Sequence, residues 1–546
     1  MYSIDVEWTS DYKLLVGYAV GDTKPKTIRI RGNEPLQYID DIAFYYLAPQ
    51  DVALLSPYLQ FRKTYNLATI IRVLTNVSRY DKIKRQSLAD VAQKYLGIGM
   101  KHLMPVHTLT ERTPALEHHC REDASVTLKL AQHFVPLVKD WSFFDRLETF
   151  APYWAQINMT GLELDTEYIR RILNTDSLLA SAQGRGINFI YNFEDRLKID
   201  RLKFQTYLKN SGFNIPERMS PAPYAKGRLK SMEYGIFKTI GESAKNPDTK
   251  IDAQLIYVLL RLHYLQGRML DQHHVYPFEI PCAQASGRCS AINSPLGAGS
   301  LFRASVIPSP GHVLVSLDVK AEEPRLAAHF SGDLELQEAC KLDFYSYIAS
   351  KIQNTEYEKL EKTDPLRSQV KNGIALPWLY GVGPATLAEG LNCEYEYARL
   401  VLNRLSIAFP TFETWKGNLS RAAMTWGTVQ SYLHHYPLYA NEHSNPRQLV
   451  NHLLQGTGAD MLREMVKFVM DRNYKVVATL HDGLYIEVPL SEKDSIDALP
   501  ALLGGFLDDL IPVFMPWDVE CAVFEGRLYE KPEYMALEEV LCKASI

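Results

Sequence analysis

Hydrophobic and polar positions alternate with a period of two across Ser3-Ile4-Asp5-Val6-Glu7-Trp8, and a second apolar run follows from Leu14 to Val20. A strand and its pairing partner are therefore predicted at the start of the chain, with Asp5 and Glu7 on one face. Gln50 to Leu55 opens a predicted helix and Glu122 to Leu130 opens another, each placing an acid near its start. From Phe144 to Leu173 the spacing predicts helix interrupted at Gly161, and Asn192 to Leu208 and Ile251 to Leu270 read as further amphipathic helices. Pro216, Pro221 and Pro223 mark the loop between them. In the second half, Val313 to Val319 is a buried-type strand that carries Asp318 and runs into a helix over Lys320 to Phe330, with Pro324 in its first turn. Val476 to Val488 reads as two short strands around a polar tip, His481-Asp482-Gly483.

A chain of 546 residues exceeds what one core organises, so two or more domains are expected. Hydrophobic residues at 46% and charged residues at 23% are ordinary for a globular protein, which excludes extended disorder. No apolar run is long enough to span a bilayer and the first ten residues carry two acids, so a soluble, cytoplasmic protein without a membrane partner is expected. Seven scattered cysteines without CxxC pairs argue for reduced thiols over a zinc site or disulfide framework. Net charge is −5, yet residues 185–250 hold 13 Lys/Arg against 7 Asp/Glu. A basic middle between acidic flanks suits phosphate contact in one place and metal-binding carboxylates elsewhere; a solvated helical surface accounts for the charge equally well.

Several of these residues have the chemistry of a cation or phosphate site. Two acids on one strand face suit a divalent cation, although surface acids on an edge strand produce the same pattern. Arg367 and Lys371 stand at i and i+4 and would share a helical face suited to a polyphosphate; an isolated charge stripe is the alternative. An Asp-Gly hairpin turn explains Asp482 and Gly483 without any function, but not His481.

Read together, the D-x-E strand, the mid-domain Asp51 and the late Glu122-Asp123-Ala124-Ser125-Val126-Thr127 helix resemble the three motifs of the DEDD 3′-to-5′ proofreading exonucleases attached to family A DNA polymerases. The resemblance implies Asp5, Glu7, Asp51 and Asp123 as metal ligands, with His119 at the position where the family often has a water-orienting Tyr. The usual Asn before Asp51 is missing.

The pieces around Asp318, around Arg367 and Lys371, and around His481-Asp482 resemble, in order, motifs A, B and C of family A DNA polymerases. Ser286-Gly287-Arg288-Cys289-Ser290 is similar to the family's T-G-R-x-S segment. Arg447, Asn451 and Gln455-Gly456-Thr457-Gly458-Ala459-Asp460 match the helix before motif C. The resemblance implies that Asp318 and Asp482 hold two Mg²⁺ ions, with Mn²⁺ an accepted substitute, and that Arg367 and Lys371 neutralise the leaving phosphates. It further places Tyr380 beside the new base pair, Glu323 against the sugar 2′ position, His481 near the primer end, and Arg288, Arg447, Asn451 and Gln455 on the minor-groove side of the DNA. Three departures stand out. Gly483 replaces the second acid of H-D-E. One extra residue lies between Lys371 and Tyr380, where Pro377 predicts a kink or π-bulge. Ala375 or Leu376 stands where the family has Phe or Tyr, which predicts discrimination against dideoxynucleotides.

The expected architecture is multidomain α/β and α+β: an RNase H-like 3′-5′ exonuclease domain followed by a right-hand polymerase domain. The layout is an exonuclease over 1–140, connector and thumb over 141–280, palm over 281–340, fingers over 341–426 and the second part of the palm over 427–546. The activity implied is template-directed DNA synthesis on primer-template DNA with dNTPs, plus proofreading. The lack of a 5′-nuclease segment ahead of residue 1 resembles compact phage replicative polymerases, with host-cell cytoplasm and possible contacts to other replisome proteins. Rival readings are a single-subunit RNA polymerase, an exonuclease with a non-catalytic DNA-binding C-terminal half, and an inactive DNA-binding homologue.

Overall fold

The structure, a computed structural model, describes residues 1–528 except 9–13, 22, 31–33, 76–86, 101–112, 174–175, 194–195, 212–236, 238–245, 267–272, 281, 293, 299–302, 363, 392 and 442–443. The chain divides into two compact units. The first comprises Met1–Thr160, Phe278–Ile292 and Val315–Val523; the second comprises Gly161–Pro277, Asn293–Leu314 and Phe524–Ile546.

The first unit opens with a five-stranded sheet in the order β3-β2-β1-β4-β5, where β1 is Tyr2–Trp8, β2 Leu14–Val20, β3 Lys26–Ile30, β4 Gln37–Tyr45 and β5 Leu59–Asn66. β1 pairs antiparallel with β2, as the alternation predicts, and parallel with β4. Ile4, Val16, Tyr45 and Leu55 bury one face of this sheet, with Leu55 supplied by the helix α1 (Pro49–Leu55). On β2, Gly17 has a packing reason to be glycine: a Cβ there would overlap the Cys120 carbonyl. Its N–H donates to Cys120 Sγ at 3.0 Å, and the Ser3 hydroxyl donates to the Ala124 carbonyl at 2.5 Å. The long helix Pro114–Phe134 is thereby seated across β1 and β2. This corrects the expectation that Glu122 opens a helix. The helix starts at Pro114, capped by the Thr113 hydroxyl, and Glu122 and Asp123 lie well inside it.

Further along the chain, four strands form a sheet in the order Lys475–Leu480, Gly483–Pro489, His312–Val319, Val519–Phe524. Leu317 and Val319 are fully buried while Ser316 and Asp318 are partly exposed, so the period of two presents Asp318 on the open face. The following helix, Glu322–Ser331, holds Pro324 in its first turn as expected. The first two strands make a hairpin whose loop is His481-Asp482, with Leu480 opposite Gly483. His481 carries the positive φ of 59°. An Asp482-Gly483 turn is thus one residue out of register; Gly483 already belongs to the strand.

The segment bearing Arg367 begins as α-helix at Pro365–Gln369, capped by Asp364, widens to a π-helix over Val370–Ala375 and closes at Leu376–Leu379. The extra residue ahead of Tyr380 is absorbed where Pro377 would have clashed with a tighter helix. Gly381, at φ 79°, makes the exit.

In the second unit, Leu162–Leu164 pairs antiparallel with Val306–Ile307 and with His274–Val275. Gly161, at φ 74°, interrupts the helical stretch as expected, but a short strand separates the helices on either side. The helix expected over Asn192–Leu208 is instead a hairpin, Ile190–Phe193 with Arg196–Ile199, and a helix starting at Arg201 behind the Asp200 cap. Leu197 and Ile199 alternate with Lys198, and Asp200 restarts the pattern, which satisfies a strand better than a continuous helix. The Pro247–Gln266 helix covers most of the run expected from Ile251; residues 267–270, and Pro216, Pro221 and Pro223, lie outside the described residues. Among the described residues no helix is long and apolar enough to cross a membrane, and the described cysteines are all unpaired thiols.

Candidate active sites

Two clusters of acids lie in the first unit. In the first, β1 brings Asp5 and Glu7 to one side, α1 supplies Asp51 in its first turn, and the Pro114–Phe134 helix supplies His119 and Asp123 one turn apart. His119 lies 3.8 Å from Glu7 and 3.6 Å from Asp123. Burial, then the charges of Asp123, Glu7 and Asp51, push the Asp5 carboxyl well above the usual range. Burial and Asp123 push Glu7 up to about 7, and burial and Glu7 raise Asp51. Asp5, Glu7, Asp51 and Asp123 thus lie near enough to act on one another's charge. Asp5 Oδ2 is buried without a hydrogen-bond partner, a state that a cation would relieve.

The second cluster joins residues far apart in sequence. Asp318, on its strand, lies against the hairpin whose loop carries Asp482, near enough for the Asp482 charge to act on it. Burial, then Asp482 and Glu520, lift Asp318 to about 7. Gly483 allows this approach. A Cβ there would stand 2.9 Å from Asp318 Oδ1 and 3.0 Å from the Leu317 carbonyl. Among the described residues no group of three or more His, Cys, Asp or Glu side chains forms a ready metal cluster, so the fit to cations rests on paired acids.

Around these acids the expected residues take definite places. Arg367 is gripped by Asp343 through two hydrogen bonds of 3.0 and 2.7 Å, and Asp343 is held at about 2, where the Arg367 and Ser346 bonds outweigh the burial that acts against them. Arg367 and Lys371 both stand over the Tyr345 ring, at 5.4 and 5.5 Å. Arg288 donates to Glu323 Oε1 at 2.6 Å, and Gln455 donates to the Tyr380 hydroxyl at 2.9 Å. Arg447 lies against the Gly381–Gly383 turn, close enough that a Cβ at Gly383 would stand 2.8 Å from its Nη2. Asn451 Oδ1 is buried without a partner, and His481 is exposed on the hairpin loop. The Ser286–Ser290 segment is fixed by buried Arg463, which donates to the Gly287 carbonyl at 2.5 Å and to Asp460 at 2.8 Å.

Sequence reading missed four residues here. Tyr345 and Asp343 support the two cations; the Asp343-Phe344 helix start was their one visible signal. Glu279 is buried and accepts from the Thr479 N–H and hydroxyl at 2.5 and 2.6 Å, tethering the hairpin strand two residues before His481. Glu322 is buried beside Glu323.

The fold has a likeness among solved structures. The polymerase domain of Pol1 from M. smegmatis, solved in complex with DNA primer-template and dNTP, matches with a TM-score of 0.68 at 17% identity, over 96% of this chain and 95% of that one. Residues 285–503 match the family model for DNA polymerase family A. Thermostable DNA polymerase I of Thermus aquaticus is 26% identical over 437 residues, 72% of this chain and 49% of the relative. DNA polymerase I of Caldicellulosiruptor bescii is 27% identical over 345 residues, 56% of this chain and 40% of the relative. The chain thus spans about half the length, or less, of these curated relatives.

Proposed function

We infer that this chain extends a DNA primer on a DNA template with dNTPs and removes nucleotides from 3′ ends at a separate exonuclease site. The observation that carries the reading is the meeting of Asp318 and Asp482 inside the segment matched by the family model. In synthesis, the primer 3′-oxygen bonds the α-phosphorus of the dNTP, the bond to the bridging oxygen breaks, pyrophosphate leaves and the 3′ proton passes to solvent. Asp318 and Asp482 would hold divalent cations, Mg²⁺ in the first instance, which when bound neutralise the triphosphate and acidify the 3′-hydroxyl. Lys371, exposed on its helix, and Arg367 face the β- and γ-phosphates; Asp343 and Tyr345 keep both cations in place. Tyr380, steadied by Gln455, packs beside the nascent pair, and Arg288, Arg447, Asn451 and Gln455 line the minor-groove side. Glu323 occupies the position that crowds a ribose 2′-hydroxyl, and His481 lies by the primer end.

In the exonuclease site, Asp5, Glu7, Asp51 and Asp123 would hold the cations. His119, set between Glu7 and Asp123, would orient the attacking water. The domain layout follows the same reading, with the exonuclease over 1–140 and palm and fingers from 281 onward. Primer extension with four dNTPs, run beside NTPs and beside digestion of single strands without nucleotide, tests it. Extension with dNTPs and digestion of single strands are expected; preference for NTPs, or no metal-dependent turnover at all, overturns the reading.

A further inference from the structure

We propose that Glu322 is a positioning residue, the alternate acceptor for the Arg288 guanidinium, which allows Glu323 to leave Arg288 and turn to the incoming sugar. This rests on the polymerase reading and deepens it.

Glu322 is 2% exposed, and both its carboxylate oxygens are buried without a hydrogen-bond partner. An acid in that state is costly to keep, so a partner that arrives in another state of the site is the physical expectation. The fold provides a seat for it: at Gly458, on the Pro446–Met470 helix, a Cβ would overlap Glu322 Oε1. The cation beside that seat is Arg288, whose Nη2 stands 4.0 Å from Glu322 Oε1 and 2.6 Å from Glu323 Oε1. A guanidinium carries five N–H donors in a fixed fork, so a small rotation exchanges one carboxylate for the other. Asp482 and Asp318 also act on Glu322, which places the exchange beside the reacting acids.

The exchange matters because Arg288 and Glu323 have separate tasks under the polymerase reading, one toward DNA and one toward the sugar, yet they are bonded to each other here. With the Glu322 carboxyl seated beside it, Arg288 has a second acceptor to turn to while Glu323 moves. Without it, Glu323 stays on Arg288 and the sugar position is less crowded.

The test is the ratio of incorporation efficiencies, dNTP over the matching NTP, on one primer-template. Glu322→Gln keeps the shape but cannot become a carboxylate for Arg288, and the ratio is expected to fall about tenfold. Gly458→Ala, which displaces the carboxylate from its seat, should lower the ratio too, but should add nothing in a Glu322→Ala background. A ratio within roughly twofold of wild type in Glu322→Gln overturns the proposal, as does an equal loss with both nucleotides, the signature of general destabilisation. If the wild-type chain extends no primer with either nucleotide, the polymerase reading itself fails, which is a distinct result.

Discussion

Gly483→Ala adds one methyl group at the closest approach of the two strands that carry the proposed catalytic acids. Glycine is not demanded by the backbone there, since residue 483 is not among the positive-φ positions. The demand is steric, with 2.9 Å to Asp318 Oδ1 and 3.0 Å to the Leu317 carbonyl, both inside ordinary contact. The carbonyl belongs to a strand and can give little, whereas the carboxylate can rotate. If the strands absorb the methyl, the overpacking costs about 1–3 kcal/mol of stability. If Asp318 rotates away, stability is largely kept and the acid is misplaced by about an ångström, which can lower turnover about a hundredfold. Single-nucleotide primer extension and denaturant unfolding, measured on the same preparation, separate the two. At least one must move. Gly483→Glu, which restores the acid seen in related polymerases, should be less active than wild type for the same reason. An alanine variant equal to wild type in both rate and unfolding midpoint refutes the steric argument.

Asp5→Ala combined with Glu7→Ala should abolish digestion of single strands and leave primer extension intact; loss of both activities in folded protein would contradict two separate sites. Glu279→Gln should flatten the pH dependence of stability. Burial holds Glu279 at about 7 against an ordinary 4.5, opposed by the two Thr479 hydrogen bonds. Folded protein therefore keeps a proton that the unfolded chain has released, a contribution complete below pH about 4.5 and lost as pH rises through about 7, worth about 3 kcal/mol. Urea unfolding at pH 5 and pH 8 measures it, and an unchanged difference between the two in Glu279→Gln would remove the assignment.

Much of both sites was legible because local pattern and local chemistry agree there. The alternation around Asp5 and Glu7 produces a strand, and Asp318 lies on the open face because Leu317 and Val319 are buried. The count from Lys371 to Tyr380, together with Pro377, anticipated the π-helix. The failures have physical causes. Thr113-Pro114 is the true start signal of the Pro114–Phe134 helix, whereas the acids at 122 and 123 lie well inside it. Residues 192–199 carry enough spaced charge to pass for an amphipathic helix, and only pairing between their two halves reveals a hairpin. Glu279 and Glu322 were not legible at all. What gives each its meaning, Thr479 for one and Gly458 with Arg288 for the other, lies distant in the chain and is joined only by packing.

The central claim is that Asp318 and Asp482 act as one cation-holding unit for nucleotide addition. Single-turnover incorporation by Asp318→Ala, Asp482→Ala and the double variant, with primer-template binding measured alongside, tests it most directly. Each single change should slow incorporation at least about a thousandfold, near 4 kcal/mol of barrier, with DNA still bound and the double variant little worse than either. Incorporation at close to the wild-type rate in either single variant would contradict the claim.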